Sequence, residues 1–262
     1  MAEYNLKLEE CEKCLLNNKC TEYEKEESDI IIKHKIFKYR YCRKYTCINT
    51  ALKQAELAYP IANIFTYSDY YKEYKYFTEI KQFIFNLDWI TKGENLYLQS
   101  QGHGCGKTYN SCVIANHYIY THAHLPGGIT EYPLVYFVSF PYFIIDGRKN
   151  YYNKDNFDFA NKLEYAMNTR LLILDDIGGI DVTEFSESLL YSIIDYRMLH
   201  KKSIIYTSDK LIESLKYSPR IKSRIYNNTG FININVEDIR ESSFNKKYKG
   251  LINILKKGVG GR

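Results

Sequence analysis

The string Gly-His-Gly-Cys-Gly-Lys-Thr at residues 102–108 constrains the fold of this chain more than any other part of the sequence. It follows an apolar run, Asn95–Gln99, that we predict as a strand, and it precedes a predicted helix, Lys107–Tyr120. Glycines in such a turn let backbone N–H groups approach phosphates. The lysine reaches the outer phosphates, and the hydroxyl of Thr108 completes a magnesium site. The sequence therefore predicts a site for a nucleoside triphosphate with Mg²⁺.

The loop departs from the usual pattern at its first glycine, where this chain has Gln101. Gly102 and Gly104 can supply the missing backbone freedom. The alternative is a glycine-rich turn with a chance Lys-Thr pair. That interpretation leaves the apolar face of the following helix, with Val113 and Ile114, unexplained.

Short apolar runs alternate with helical patterns from residue 94 onward, which favours an α/β fold with a buried parallel sheet. The predicted strands are Asn95–Gln99, Leu134–Ser139, Leu171–Asp175, Ser203–Thr207 and Phe231–Val236. The predicted helices are Tyr74–Phe85, Lys107–Tyr120, Phe157–Met167, Glu184–His200 and Asp209–Lys216.

The third of these strands ends in two acids, Asp175 and Asp176. In phosphate-loop ATPases the first carboxylate holds magnesium and the second orients the attacking water. Many such enzymes have glutamate at the second position, so Asp176 is one methylene shorter. The alternative is a buried strand that ends in solvated acids. The residues predicted to contact nucleotide and magnesium are Gly102, His103, Gly104, Cys105, Gly106, Lys107, Thr108, Tyr109 and Asp175.

Two further polar segments extend this pattern. Thr207–Asp209 follows the fourth strand, where ring-forming ATPases often use asparagine to contact the γ-phosphate; Asp209 stands in that place, and Thr207 or Ser208 is the alternative sensor. Ser208 or Asp209 can also serve as the N-cap of the next helix. Arg224, with Arg220 as second choice, is a candidate to reach a neighbouring subunit's γ-phosphate.

Five of the seven cysteines lie in the first 47 residues. Cys-x2-Cys is a common start for a zinc site, and a segment this small gains folding free energy from a metal. The preferred zinc ligands are Cys11, Cys14, Cys42 and Cys47, with Cys20 and His34 in reserve; the alternative is a helical segment with free thiols. Residues 33–44 alternate basic and aromatic side chains, which fits either a nucleic-acid contact or a hairpin with one basic face.

The sequence has no 18-residue apolar run and no signal-peptide pattern at its start. Together with the odd number of cysteines, this leads us to expect a cytoplasmic protein without a membrane partner.

In the order of these motifs the chain resembles the AAA+ helicase loaders of the DnaC/DnaI group and the related transposition helper IstB. The resemblance is to loaders of the phage or Gram-positive type. The resemblance covers about residues 75–240 and rests on Gly-Cys-Gly-Lys-Thr-Tyr, Leu-Ile-Leu-Asp-Asp-Ile-Gly, Ile-Ile-Tyr-Thr-Ser-Asp and Arg-Ile-Lys-Ser-Arg-Ile. It implies an AAA+ P-loop domain at residues 93–262 without a C-terminal lid. It also implies a helical linker at 51–92 and a zinc module at 1–50 that docks the helicase.

By this resemblance the chain is an ATPase that uses ATP and Mg²⁺ to place a DnaB-type replicative helicase on single-stranded DNA. Hydrolysis is slow and stimulated by DNA or a partner, Asp176 and Asp209 act with a neighbour's Arg224, and the chain forms a homo-oligomer or assembles on the helicase. The alternatives are an IstB-like helper of a transposase or recombinase, and a nucleotide-switched adaptor with little hydrolysis.

Family members carry a helical insertion that touches single-stranded DNA near residues 140–150. The rings and charges that fit this role are Phe143, Arg148, Lys149, Tyr151 and Tyr152, with core packing of Phe143 as the alternative.

Overall fold

A computed structural model describes residues 43–60, 62, 75–125, 128, 130–152 and 157–234 of the chain. The helices are α1 (Arg43–Ala55), α2 (Lys75–Phe85), α3 (Asp88–Lys92), α4 (Lys107–His122), α5 (Phe140–Tyr152), α6 (Phe157–Asn168), α7 (Glu184–Leu199) and α8 (Pro219–Tyr226), with a 3-10 turn at Ile212–Ser214. The strands are β1 (Asn95–Gln99), β2 (Val135–Ser139), β3 (Leu171–Asp175), β4 (Ser203–Ser208) and β5 (Thr229–Asn233).

The five strands form one sheet in the order β2-β3-β4-β1-β5, and every neighbouring pair is parallel. This confirms the predicted parallel sheet. The chain leaves β1 for the far edge at β2 and returns through β3 and β4. The connection from β1 to β2 leads to one edge of the sheet, and the connection from β4 to β5 leads past β1 to the other edge. A crevice therefore opens at the carboxyl end of β1, where ligands bind in such sheets.

Helices cover both faces of the sheet because the strands are apolar on both sides. Leu96 and Leu98 of β1 pack with α1, α2 and α4 in one buried cluster. Tyr97, between them, packs in a second cluster with α5, α7 and α8. The strands are thus buried between two helical layers, and only their ends reach solvent.

Most predicted elements agree with the structure to within two residues at each end, and two differ more. The helix predicted at Asp209–Lys216 is wrong, since only the 3-10 turn at Ile212–Ser214 forms there. The backbone is extended at Leu211 and Leu215, with ψ of 149° and 140°, so only one turn forms between them. Gln99 Oε1 accepts from Ile212 N at the start of this turn at 3.3 Å. The last strand begins two residues earlier than predicted, because Thr229 pairs with Asn95.

Arg197 of α7 is completely buried and holds three elements together. Its guanidinium donates hydrogen bonds to the carbonyls at the end of α6 and at the starts of β3 and β4, namely those of Ala166, Met167, Thr169, Arg170 and Ser203. Burial lowers the pKa of Arg197 to about 9. The last carbonyls of a helix lack partners within it, so this arginine satisfies acceptors that would otherwise be buried unpaired.

Within the described ranges, no helix combines the length and apolar character that crossing a membrane requires.

Candidate nucleotide-binding site

The loop between β1 and α4 has the backbone that its glycines allow. Gly104 and Gly106 take left-handed conformations, with φ of 67° and 85°. Glycine adopts these values without strain, whereas a residue with a Cβ does not. Gly106 precedes α4, and no side chain caps that helix start. The first N–H groups of α4 are therefore available to an anion at the carboxyl edge of the sheet.

Lys107 lies folded against its own loop. Its Nζ donates to Ser100 Oγ at 2.7 Å and to the Gly102 carbonyl at 2.9 Å. Burial lowers the pKa of Lys107, while nearby thiol and carboxylate groups, among them Asp209, oppose that shift. An anion in the crevice would have to draw the ammonium group away from two oxygen acceptors. Sequence reasoning missed Ser100, because nothing in the motif marks the residue before Gln101.

The carboxylate of Asp175 receives two hydroxyl groups on one oxygen. Thr108 Oγ1 and Thr207 Oγ1 each donate to Asp175 Oδ1 at 2.7 Å. The three residues meet because β3 and β4 are neighbours that end at the same edge, next to the start of α4. Burial raises the pKa of Asp175, and the two hydroxyl groups oppose that shift. The arrangement leaves a carboxylate and a hydroxyl side by side, which are the groups that Mg²⁺ takes in such sites.

Asp176 has a left-handed backbone, with φ of 59°, and its amide donates to Thr207 Oγ1 at 2.9 Å. Its carboxylate lies so close to Gly179 that a Cβ there would overlap it. Burial raises the pKa of Asp176, and the charges of Asp209 and Asp175 raise it further. A carboxylate whose proton affinity is increased in this way is suited to accept a proton.

The polar residues Thr207, Ser208 and Asp209, at the end of β4 and directly after it, have different contacts. The Thr207 hydroxyl is held between Asp175 and Asp176, and Ser208 Oγ accepts from Lys210 N. In the described part of the chain, Oδ1 of Asp209 is buried without a hydrogen-bond partner. Its Oδ2 lies 3.7 Å from Nδ1 of His103, whose side chain is exposed. Within Thr207–Asp209, the free polar atom thus belongs to the residue at the asparagine position.

A cavity of about 590 Å³ joins these groups at the carboxyl edge of β1, β3 and β4. That volume suits a ligand of nucleotide size. Gly102, Cys105, Gly106 and Tyr109 do not line it: Cys105 is buried beneath the loop, and Tyr109 packs edge-on against Tyr59. Of the predicted site residues, those that line the cavity are His103, Gly104, Lys107, Thr108, Asp175, Asp176 and Asp209.

Arg224 lies away from this cavity, on α8, and is bound within the chain. Its Nε donates to Asp195 Oδ1 at 3.0 Å, and its Nη2 donates to Tyr191 Oη at 2.6 Å. Arg220 stacks on the same Tyr191 ring at 3.9 Å but is exposed. Neither arginine reaches the nucleotide cavity of its own chain, so an action on phosphate would have to be on a neighbour's.

Most of the predicted zinc ligands lie outside the described residues, namely Cys11, Cys14 and Cys42, together with the reserve ligands Cys20 and His34. Cys47 is a buried free thiol in α1 and packs in the first core cluster. The described ranges contain no group of three or more His, Cys, Asp or Glu side chains that could hold a metal. Helix α1 also runs continuously through residue 50, where the sequence predicts a module boundary.

The segment after β2 is helical, as the resemblance implies. Phe143 is buried and packs against Phe159 with ring centroids 5.0 Å apart, which is the core role left open above. Arg148 and Lys149 are exposed, whereas the side chains of Tyr151 and Tyr152 lie outside the described part. Sequence reasoning missed Tyr142, whose ring is 73% exposed on this helix.

The raised pKa of Asp175 predicts how the stability of the ligand-free chain depends on pH. A raised folded pKa means that the folded state binds a proton more tightly than the unfolded state, where a carboxyl has a pKa of about 3.9. This contribution is full below the unfolded pKa and is lost as pH rises through the folded pKa. Urea unfolding from pH 4 to 7 should show wild type losing stability relative to Asp175→Asn as pH rises. A constant difference would contradict the shift.

Comparisons with known proteins agree with this geometry. A sequence profile of the family described as IstB-like ATP binding protein matches residues 6–217. No curated protein sequence matches the chain.

Three solved structures illustrate the likeness in fold. A candidate primosome component from Streptococcus pyogenes serotype M3 has a TM-score of 0.54 and 20% identity, over 72% of this chain and 96% of that chain. The DnaC helicase loader has a TM-score of 0.50 and 22% identity, over 66% and 97%. AMPPCP-bound DnaA from Aquifex aeolicus has a TM-score of 0.52 and 18% identity, over 73% and 55%. The fold is that of an α/β P-loop ATPase.

Proposed function

The chain belongs to the family of IstB-like ATP-binding proteins, and we propose that it uses ATP to load a DnaB-type replicative helicase onto single-stranded DNA. The observation that carries the ATPase part is the bond from Thr108 to Asp175, with Lys107 and Asp176 on the same cavity. The choice of partner is supported by the order of the motifs and by the likeness in fold to a structure named as a helicase loader.

The residues of the cavity fit ATP and Mg²⁺. Gly104 and Gly106 hold a loop conformation that a Cβ would disfavour, and the start of α4 beside them has no side-chain cap. Thr108 and Asp175 would hold the magnesium ion, which supplies positive charge to the phosphate oxygens. Lys107 would exchange its two loop acceptors for phosphate oxygens.

Asp176 is proposed to orient the attacking water and take its proton, since its pKa is raised and Gly179 leaves room for its carboxylate. Asp209 lines the same cavity and stands where ring-forming ATPases often have asparagine. A carboxylate there would repel a phosphate, so turnover is proposed to be slow unless a partner or a cation offsets the charge. Arg224, with Arg220 as the alternative, would act on the site of a neighbouring copy, which requires an oligomer or assembly on the helicase.

Single-stranded DNA is proposed to contact the exposed side of α5. Tyr142 offers a ring for stacking, and Arg148 and Lys149 offer charge for phosphates. Loss of DNA-stimulated phosphate release after exchange of Arg148 and Lys149 for glutamine tests this contact, and unchanged stimulation would exclude it.

Residues 1–50 are proposed to bind Zn²⁺ and dock the helicase. Because Cys47 packs in the core, Cys20 or His34 is the better fourth ligand beside Cys11, Cys14 and Cys42. Metal analysis of the purified intact chain tests this, and less than about one zinc per two chains would count against it.

The family match also favours a second candidate, an ATPase helper of a transposase or recombinase. Affinity capture of the intact chain from host lysate with ATP, read by mass spectrometry, separates the two. We expect a hexameric replicative helicase with wild type and a much smaller yield with Lys107→Ala, which cannot hold the phosphates. Recovery of a transposase instead would overturn the loader proposal. If the wild-type chain shows no DNA-stimulated phosphate release, the ATPase proposals fail and the nucleotide-switched adaptor is the remaining alternative.

A further inference from the structure

The amino-terminal edge of the sheet carries a row of basic residues opposite the nucleotide cavity. Arg170 directly precedes β3, Lys201 and Lys202 precede β4, and Lys92 closes the helix before β1. In a parallel sheet these positions lie together at one edge, one strand length from the carboxyl edge. A five-residue strand places the two edges about 17 Å apart.

Two clefts open at this edge and share Lys202. The first has a volume of about 450 Å³ and includes Arg170, His122 and Tyr132 in its wall. The second, of about 310 Å³, includes Lys92, Lys201 and Arg224. No carboxylate side chain lines either cleft within the described part of the chain. Clefts of this size with converging donors suit anionic ligands.

The hydrogen bonds of the basic side chains here include one to a neutral group, from Lys202 Nζ to the carbonyl of Asn168. Among the described residues, Lys92, Arg170, Lys201 and Lys202 form no ion pair. Carboxylates bind two other residues of the cleft walls: Asp195 pairs with Arg224 of the second cleft, and Glu164 accepts from Oη of Tyr132 of the first at 2.8 Å. Burial lowers the pKa of His122, and the charge of Asp88 opposes that shift.

The like charges also act on one another. Burial lowers the pKa of Lys202, and the positive charges of Arg197 and Arg170 lower it further. The fold therefore concentrates positive charge at this edge at a cost that a bound anion would offset.

We propose that this basic edge binds the phosphate groups of a nucleic acid strand. A single small anion would occupy one cleft. The successive phosphates of a strand can occupy both clefts, because the clefts adjoin at Lys202. Tyr132 and His122 border the first cleft, where a base can lie against a ring. A strand bound here leaves the nucleotide cavity of this chain and α5 free. In the second cleft it would lie beside Arg224, which the proposed function assigns to a neighbour's nucleotide, so binding is measured without ATP to keep the two roles separate.

The test measures binding of a fluorescent oligothymidylate to the intact chain by anisotropy, without ATP, over a series of salt concentrations. The variant combines Lys92→Gln, Arg170→Gln and Lys201→Asn; asparagine suits the left-handed φ of 50° at Lys201. We expect about tenfold weaker binding and a salt slope reduced by about 2, since each single-strand phosphate contact contributes about 0.7.

The control removes the same net charge elsewhere, through Lys53→Gln, Lys81→Gln and Lys216→Gln, and should change affinity and slope much less. Equal effects of the two triple variants would overturn the proposal, since only net charge would then matter. Inorganic phosphate, added at constant ionic strength, should not displace the strand. If it displaces the strand fully, the surface is a site for free phosphate and the proposal fails. If polyglutamate binds as tightly as the oligonucleotide and is equally weakened in the variant, the partner is an acidic protein and the proposal fails.

A measurement on the unaltered chain covers the case in which the variant does not fold. An oligonucleotide with iododeoxyuridine is cross-linked by light, and the modified peptides are identified by mass spectrometry. Adducts at Tyr132 or His122 are expected. Adducts confined to Tyr142 on α5 would overturn the amino-edge proposal while agreeing with the DNA contact proposed for α5, so the two failures are distinguishable.

Discussion

The Asp176→Asn chain is expected to bind ATP about as tightly as wild type and to hydrolyse it about 10²- to 10⁴-fold more slowly. Asparagine keeps the size of the side chain and tolerates the left-handed backbone at this position, but it cannot take a proton from water. Phosphate release under saturating ATP and DNA measures the rate, and binding of a fluorescent ATP analogue measures the affinity.

Asp181→Asn is the matched control, because Asp181 lines the same cavity but its side chain is 97% exposed. Its turnover should match that of wild type. A mixture of the Asp176→Asn and Arg224→Ala chains should recover part of the lost activity, since one keeps its arginine and the other its water-orienting carboxylate. Full activity of Asp176→Asn alone would refute its role. The role falls to Arg224 if the Arg224→Ala chain is inactive alone and regains activity in the mixture, while the Arg220→Ala chain is already active alone.

The Arg197→Met chain is expected to lose about 3–5 kcal/mol of unfolding free energy, because each buried acceptor left without a partner costs about 1–3 kcal/mol. Methionine fills a similar volume but donates no hydrogen bonds, so the carbonyls around the guanidinium lose their partner in a buried place. Urea unfolding followed by circular dichroism measures the loss.

Arg148→Met is the same exchange at an exposed site, where the guanidinium donates to Thr183 Oγ1, and it should cost about 1 kcal/mol or less. Arg197→Lys should fall between the two, because it keeps the charge but has fewer donors in a different geometry. Equal losses for Arg197→Met and Arg148→Met would show that the buried contacts contribute little net stability.

Much of the fold follows from local patterns. The strands Asn95–Gln99 and Leu171–Asp175 have the predicted bounds, because each is a short apolar run ended by polar residues. The alternation of strands and helices predicts the parallel sheet. The turn at Ile212–Ser214 was not predictable in this way, because the extended backbone at Leu211 and Leu215 interrupts a helical pattern, and Gln99, over a hundred residues earlier, binds Ile212 N between them.

The site shows the same division. The motifs predict a shared site for Lys107, Thr108, Asp175 and Asp176, and in the structure all four line one cavity. The bond from Thr207 to Asp175 depends on β3 and β4 being neighbours in the sheet, which no motif records, and Ser100 binds Lys107 from just outside the motif. Arg197 is hidden from sequence reasoning for a related reason: an arginine on a helix is ordinarily exposed, and only the packing of α6 against α7 buries it.

The bonds from Lys107 to Ser100 and Gly102 have a consequence for nucleotide exchange. The loop carries an internal substitute for its ligand, so its conformational entropy is lost when the chain folds and not when nucleotide arrives. Binding of a phosphate would then exchange the oxygen acceptors of one ammonium group, in a loop whose shape is already fixed by its own side chain and carbonyl. We therefore expect the exchange of one nucleotide for another to need little rearrangement of this loop.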